Sequence, residues 1–213
     1  MGEIGEEAAA RLISAARAAI ESVLRGADPE EVQIPEVFAE EVRRGVFVTV
    51  YTYPEMALRG CIGYPRPVDR LEVLTVRAAI AAALLDPRFP PLEVDELDRS
   101  VLELSVLTPL EQIRVDDRRR MPDEVEVGRH GLLIEWKEAS GLLLPQVAVE
   151  QGWDAEEFLV NVCLKAGLPP TTYLHPGSRV YRFEAELYVE ERPRGPVRRL
   201  RLDRPATGAG CGV

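Results

Sequence analysis

The residues best suited to chemistry in this chain lie in one short stretch, Leu58 to Gly63 (LRGCIG). A guanidinium and a thiol stand two residues apart in an otherwise apolar run. If the run is a strand, its side chains alternate between two faces, so Leu58 and Ile62 face the core while Arg59 and Cys61 point away from it. Because a nearby cation favours the thiolate, the spacing predicts a reactive thiol. A bulged strand with a buried, inert Cys61 is the alternative, since free cysteines are usually buried.

A nucleophilic cysteine also needs a base within reach. The chain offers two histidines, His130 and His175, and both stand in turn-like segments. We expect His130 to act as the general base over the site, the alternative being a surface histidine in a turn. Arg59 would hold an anionic group of the substrate, such as a carboxylate or a phosphate. The candidate catalytic residues are therefore Cys61, Arg59 and His130.

Five further residues are candidate binding residues on the strength of their positions in the sequence. They are Gly60, Gly63, Arg88, Ser105 and Gln146. A glycine inside a strand often marks a place where a ligand or another backbone comes close. Arg88 lies in a stiff, proline-rich loop, where pairing with Asp86 is the structural alternative. Ser105 lies on the polar face of a predicted half-buried strand, and Gln146 opens a predicted helix.

Composition limits the classes of function. The chain has 213 residues, a net charge of −10 and three cysteines. Acidity argues against a general nucleic-acid binder, which needs a basic footprint; only residues 192–213 are basic. Two histidines and scattered cysteines make a protein-only zinc site improbable, and the sequence names no cofactor. The basic residues are nearly all arginine, a composition typical of a thermophile or a GC-rich genome.

The same sequence predicts a cytoplasmic protein. No apolar run approaches the roughly 18 residues of a membrane span, and the N-terminus is acidic and carries no apolar signal-peptide core. The cysteines are odd in number and far apart, so a disulfide framework is not expected.

Hydrophobic periodicity predicts the elements that position these residues. Helices are predicted at residues 4–25, 68–85, from Pro145, and 154–166. Strands are predicted at 46–52, the LRGCIG stretch, 101–107, 125–127, 132–136, 141–144 and 180–189. The helix from residue 68 begins just after Cys61, where its positive N-terminus would favour the thiolate. Segregated hairpins and helices indicate an α+β fold with a mainly antiparallel sheet flanked by helices.

The helix at 154–166 has the clearest local signals. Asp154 and Glu157 have the spacing of a capping box, and Trp153 can pack on Phe158 as a hydrophobic staple. The helical spacing places Cys163 on the apolar face and therefore in the core.

Several ordered blocks resemble the AMMECR family, named for a human Alport-syndrome deletion region. Besides LRGCIG, they are DPRFPPL from Asp86, LSVLTP from Leu104, GLLLPQV from Gly141, GWD from Gly152 and KAGLP from Lys165. The resemblance covers roughly residues 6–190. It implies a single domain at 1–190 with a smaller second lobe and an inter-lobe cleft lined by the signature. Residues 191–213 would be an Arg/Gly-rich, partly disordered tail.

Three functions follow as hypotheses. The first is an enzyme or small-molecule site with Cys61 as nucleophile or redox thiol. The second is a non-catalytic adaptor that binds a peptide or protein partner in the same groove. The third is regulation linked to nucleic acid, which the charge disfavours. The family resemblance also implies a pathway link to radical-SAM and Memo-type proteins, by association only.

Overall fold

The computed structural model of the chain describes residues 2–201. Five α-helices lie in this range: α1 (Glu6–Leu24), α2 (Leu71–Leu84), α3 (Val94–Leu97), α4 (Pro145–Gln151) and α5 (Ala155–Lys165). Its strands are β1 (Val46–Thr52), β2 (Leu58–Tyr64), β3 (Ser100–Leu107), β4 (Glu111–Gln112), β5 (Gly131–Trp136), β6 (Ala139–Leu143), β7 (Arg179–Phe183), β8 (Ala185–Glu190) and β9 (Val197–Leu200). Two 3₁₀ helices span Arg118–Glu124 and Thr172–Leu174. The predicted α+β class is confirmed.

The described residues divide into two compact units. The first consists of the residues up to Leu107 together with Glu186–Leu200, and the second is Thr108–Ala185. The first unit holds a five-stranded sheet in the order β2-β1-β3-β8-β9, and the second a four-stranded sheet in the order β4-β7-β5-β6. The inter-lobe cleft implied by the family resemblance stays a prediction.

In the first unit, one face of the sheet packs against α1 and α2. Alternate residues of β1, Val46, Val48 and Val50, are buried in the core that the two helices cover. The fit is tight at Gly60 of β2, where an added Cβ would stand 2.1 Å from the carbonyl oxygen of Ala82. Helix α2 therefore lies directly on the strand backbone, which only glycine permits.

This contact overturns one expectation about Cys61. Ala82 belongs to the C-terminal end of α2, so the end of the helix, and not its start, lies beside the Gly60–Cys61 backbone. The predicted support of a thiolate by the helix N-terminus is wrong, because β2 and α2 run in opposite directions along each other.

In the second unit, α5 packs against the sheet as its sequence predicts. Asp154 accepts a hydrogen bond from the Glu157 main-chain N–H at 2.8 Å, and Glu157 accepts one from the Asp154 N–H at 3.0 Å. The Trp153 and Phe158 rings lie 6.5 Å apart between centroids. Cys163 is fully buried. The capping box, the staple and the core position of Cys163 are all confirmed.

Three predicted boundaries are corrected. The single strand predicted at 180–189 is two strands, β7 and β8, in different sheets; the chain changes sheets at Glu184, whose N–H donates a hydrogen bond to the Thr108 hydroxyl. Residues 125–127 form no strand, because the Glu126 carbonyl and N–H are both bonded within a turn. Part of the tail predicted from residue 191 forms β9, which pairs with β8; residues 202–213, on which the rest of that prediction falls, lie outside the described part.

The chain carries an arginine triplet at residues 118–120. It opens a 3₁₀ helix capped by Asp117. Arg118 donates hydrogen bonds to the carbonyl oxygens of Tyr173 and His175 and to both oxygens of Ser178. Arg118 is therefore a structural residue that ties two segments of the second unit together.

Candidate functional site

Three polar side chains stand side by side on the sheet of the first unit. Strand β1 lies between β2 and β3, and the strand register places Thr49 opposite both Cys61 and Glu103. Since Val48 and Val50 face the helices, alternation puts these three residues on the other face. We call Cys61, Thr49 and Glu103 the thiol row. Sequence reasoning identified Cys61 alone.

The Cys61 thiol is partly buried and neutral. The Thr49 hydroxyl donates a hydrogen bond to its Sγ at 3.3 Å. Burial raises the pKa of the Cys61 thiol, and the charges of Glu103 and Asp86 add to that effect. The Thr49 hydrogen bond and the Arg88 charge oppose it without reversing it. This direction is opposite to the one that favours a resting thiolate, because desolvation outweighs the nearby cation.

The backbone of Cys61 is held by two side chains from the loop that follows α2. Asp86 Oδ2 accepts the Cys61 N–H at 2.9 Å, and Arg88 Nη2 donates to the Cys61 carbonyl at 3.3 Å. We call this pair the edge clamp, because β2 is an edge strand and these groups point away from β1. An open edge would otherwise invite another strand.

The two residues of the edge clamp also bind each other. Arg88 donates to Asp86 from Nε at 2.9 Å and from Nη2 at 2.7 Å, and its main-chain N–H adds a third bond at 3.1 Å. The pKa of the Asp86 carboxyl lies well below its ordinary value, chiefly because of these bonds from Arg88. The structural interpretation of Arg88 is thereby confirmed. Its side chain remains 45% exposed, so one side of it faces solvent.

Arg59 is turned away from the thiol. The pairing of β1 with β2 shifts between Val50 and Tyr51 and leaves Arg59 at a bulge. Its guanidinium donates to both Glu96 oxygens at 3.0 and 3.1 Å, and to the carbonyls of Pro90 and Pro91. The Arg59 side chain is only 11% exposed. The predicted anion-holding role of Arg59 is not supported, because its charge and most of its donors are already used.

His130 has no free lone pair with which to act as a base. Its Nδ1 accepts the Glu126 N–H at 2.9 Å, so the neutral ring must carry its proton on Nε2. His175 has the same arrangement, with Nδ1 accepting the Gly177 N–H at 3.0 Å. His130 also belongs to the second unit, whereas Cys61 belongs to the first. This geometry argues against His130 as the general base.

The remaining predicted residues have varied surroundings. Ser105 is fully buried, and its hydroxyl has no hydrogen-bond partner among the described residues. Ser105 and Gly63 flank Phe47 across the sheet. An added Cβ at Gly63 would stand 2.3 Å from the Phe47 ring, so that glycine makes room for the ring. Gln146 is buried at the start of α4 in the second unit and is not part of the thiol row.

Sequence reasoning missed Thr49, Glu103 and Asp86. A signal existed for Glu103, which lies two residues from Ser105 within an apolar strand. The sequence predicted a half-buried strand there, but β3 is buried along its whole length. A charged residue in a fully buried strand is rare and marks a position to examine.

Residues 2–201 contain neither a metal-binding cluster nor a membrane-spanning helix. Among residues 2–201, no group of three or more His, Cys, Asp or Glu side chains is arranged to hold a metal ion. In the same range, no helix is both long and apolar enough to cross a membrane.

Fold and site together define an α+β protein with a partly buried cysteine on an edge strand of an antiparallel sheet. The AMMECR1 family model matches residues 13–188. A protein of Thermococcus gammatolerans is 51% identical over 208 residues, which cover 95% of this chain and all of that protein. Protein MJ0810 of Methanocaldococcus jannaschii is 50% identical over 85% of this chain and 90% of its own length.

A solved structure agrees with these sequence matches. The crystal structure of the uncharacterised protein PH0010 from Pyrococcus horikoshii matches with a TM-score of 0.88 and 47% identity. The match covers 93% of this chain and 99% of that one. The chain therefore belongs to the AMMECR1 family, as its LRGCIG stretch and the other blocks predict.

Proposed function

We propose that the thiol row binds a small molecule and that the Cys61 thiol is the group that reacts with it, as a nucleophile or a redox-active thiol. The observation that carries this proposal is the alignment of Cys61, Thr49 and Glu103 on neighbouring strands. Thr49 and Glu103 are almost completely buried. Burying a carboxylate or a hydroxyl costs free energy unless the group is hydrogen-bonded, and a group whose pKa is shifted by burial and by neighbouring charges, as that of Cys61 is, is a candidate functional group.

The electrostatics limit what the ligand can be. Arg59 is neutralised by Glu96 and Arg88 by Asp86. An anionic substrate would have to compete with these carboxylates, so recognition through anion capture is not favoured. The ligand is instead an electrophile or oxidant that meets a neutral thiol, and a proton leaves Sγ only once the ligand has bound.

The test is the pH dependence of Cys61 alkylation in the unaltered chain, with each cysteine quantified separately by mass spectrometry. We expect Cys61 to react with an apparent pKa above the ordinary value of about 8.5, because burial and the Glu103 charge disfavour the thiolate. Thr49→Val should raise the apparent pKa further, since it removes the hydrogen bond to Sγ while keeping the shape. Thr52→Val on the same strand is the matched control and should leave it unchanged.

Two reagents separate this proposal from an anion site. Iodoacetamide is neutral and iodoacetate is anionic, and both add the same small group to sulfur. We expect the ratio of the iodoacetate rate to the iodoacetamide rate at Cys61 to be no higher in the folded chain than in the urea-unfolded chain. A strong preference for iodoacetate that Arg88→Ala removes would overturn the neutral-ligand interpretation. Alkylation that occurs only as fast as the first unit unfolds would make Cys61 a packing residue.

A specific observation favours the adaptor as the second candidate. Three large apolar side chains at and beside the β1–β2 turn are exposed: Tyr53 by 40%, Met56 by 47% and Leu58 by 39%. Apolar groups clustered at a surface can mark a protein contact. The edge clamp occupies the outward N–H and C=O of Cys61, so a partner would bind through these side chains and not by adding a strand at Cys61.

The adaptor can be tested with a photo-crosslinking residue at position 56. A partner that binds through the turn should crosslink there and not from position 68, where Val68 is also exposed but lies beyond the other end of β2. Equal labelling from both positions would indicate nonspecific contact. The third hypothesis, nucleic-acid binding, gains no support from the net charge of −10.

A further inference from the structure

The second unit contains a cavity of about 350 Å³ that is unrelated to the thiol row. One wall of it is the turn between the 3₁₀ helix Arg118–Glu124 and β5. The residues that line the cavity are Glu111, Asp123, Glu124, Val125, Glu126, Arg129, His130, Arg182 and Glu184. His130 is the histidine among them, and it closes the turn.

Besides a longer bond at 3.2 Å from the Arg129 main-chain N–H to the Glu126 carbonyl, two hydrogen bonds hold this turn closed. The His130 main-chain N–H donates to the Glu126 carbonyl at 2.9 Å. The Glu126 N–H in turn donates to His130 Nδ1, also at 2.9 Å. The second bond exists only while Nδ1 keeps its lone pair. A proton added to Nδ1 would leave two donors, Nδ1–H and N–H, facing each other.

We propose that His130 is an acid-sensitive latch, and that protonation of its ring releases the 126–130 turn and alters the cavity that the turn encloses. The proton comes from solvent and binds Nδ1, and the hydrogen bond from Glu126 N–H is the one that breaks. This device is independent of the proposed function of Cys61, because every residue involved lies in the second unit.

The charged groups around the ring set the pH at which the latch acts. They are Glu126 and Arg129 of the turn, Asp123 and Glu124 of the 3₁₀ helix, Glu111 of β4, Arg182 of β7, and Glu184 after β7. Burial and the charges of Arg182 and Arg129 lower the pKa of His130, and Glu184 and Glu111 oppose them. The turn should therefore stay closed at neutral pH and open below the ordinary histidine pKa of about 6.5.

Linkage gives the sign of the effect. Because the closed turn binds the ring proton less well than the open one, closure is favoured as pH rises and weakened as pH falls. For one proton, the closing equilibrium changes by about tenfold per pH unit between the pKa of the open form and the lower pKa of the closed form.

The experiment is residue-resolved amide exchange of the full chain, measured by NMR from pH 8 to pH 4.5. The protection factor of the Glu126 amide should fall by about tenfold per pH unit in acid, while that of Leu133 in the neighbouring β5 stays constant and shows that the unit is folded. The His130 ring should carry its proton on Nε2 at pH 8 and titrate over the range in which protection is lost.

Two substitutions assign the effect to the ring. In His130→Asn the amide oxygen stands near the place of Nδ1 and accepts hydrogen bonds from a nearby N–H without titrating, so Glu126 should stay protected at every pH. In His130→Gln the oxygen is displaced, and protection should be absent throughout. His175→Asn replaces the other histidine that accepts a main-chain N–H within a turn and should leave the Glu126 profile unchanged. A ring that titrates while Glu126 stays protected, or a proton on Nδ1 at pH 8, would overturn the proposal.

Discussion

Removal of the Asp86 side chain should loosen the strand that carries Cys61. Asp86→Ala deletes the acceptor of the Cys61 N–H and the partner of the Arg88 guanidinium. The carboxylate is almost completely buried, whereas Arg88 is half exposed. The two losses therefore have different costs.

The larger cost comes from the Cys61 N–H, which is left without its acceptor at a partly buried position; this is worth about 1–3 kcal/mol. The ion pair adds up to about 1 kcal/mol, because water screens the exposed arginine. We expect Asp86→Ala to lower the free energy of unfolding of the first unit by about 1–4 kcal/mol. Asp98→Ala, which removes an exposed partner of Arg194, should cost less than about 1 kcal/mol.

The pH dependence of this difference has a definite sign. The pKa of the Asp86 carboxyl is lowered in the folded chain, so its contribution is complete above the unfolded value of about 3.9 and decreases below it. Urea unfolding followed by far-UV circular dichroism should give a constant difference from pH 5 to 8 and a smaller one at pH 3. Amide exchange should show Cys61 exposed in the variant. A variant as stable as Asp98→Ala, with the Cys61 amide still protected, would refute this account of the edge clamp.

Two other substitutions test the core of the first unit. Gly60→Ala should destabilise the chain by about 3 kcal/mol, because the new Cβ would stand 2.1 Å from the Ala82 carbonyl oxygen. Gly177→Ala is the control, since a Cβ there would find nothing closer than 3.4 Å. Thermal unfolding of both variants checks the difference. Arg17→Ala should cost about 3–5 kcal/mol by leaving the buried Glu190 carboxylate without its cation; a urea midpoint equal to that of the parent chain would show that the pair contributes nothing.

The elements predicted well are those whose signals are local. Strand β1 has the bounds that its β-branched and aromatic run predicts. Helix α5 begins at its capping box, because the groups that satisfy the first turn lie within four residues of one another. The change from β7 to β8 could not be predicted in this way. Successive side chains point to opposite faces in every strand, so the sequence pattern does not show which sheet a strand belongs to.

The site was predicted only in part, because its geometry depends on distant contacts. The alternation that pairs Arg59 with Cys61 fails at a single bulge, which sends the guanidinium to Glu96. Glu103 joins the thiol row only through the register of two strand pairs. Neither the bulge nor the register is encoded in the LRGCIG stretch alone.

These distant contacts change the role that we assign to Arg59 and Arg88, the two arginines near Cys61 in the sequence or the structure. A thiol flanked by Arg59 and Arg88 suggests an activated nucleophile, yet each guanidinium is paired with a carboxylate of its own. Their bonds fix the backbone of β2 and the loop beyond α2 and do not draw a proton from Sγ. Under the proposed function, activation would come from the ligand or from a change in the burial that raises the thiol pKa. A Cys61 that reacts slowly at rest is consequently the expected state of this site.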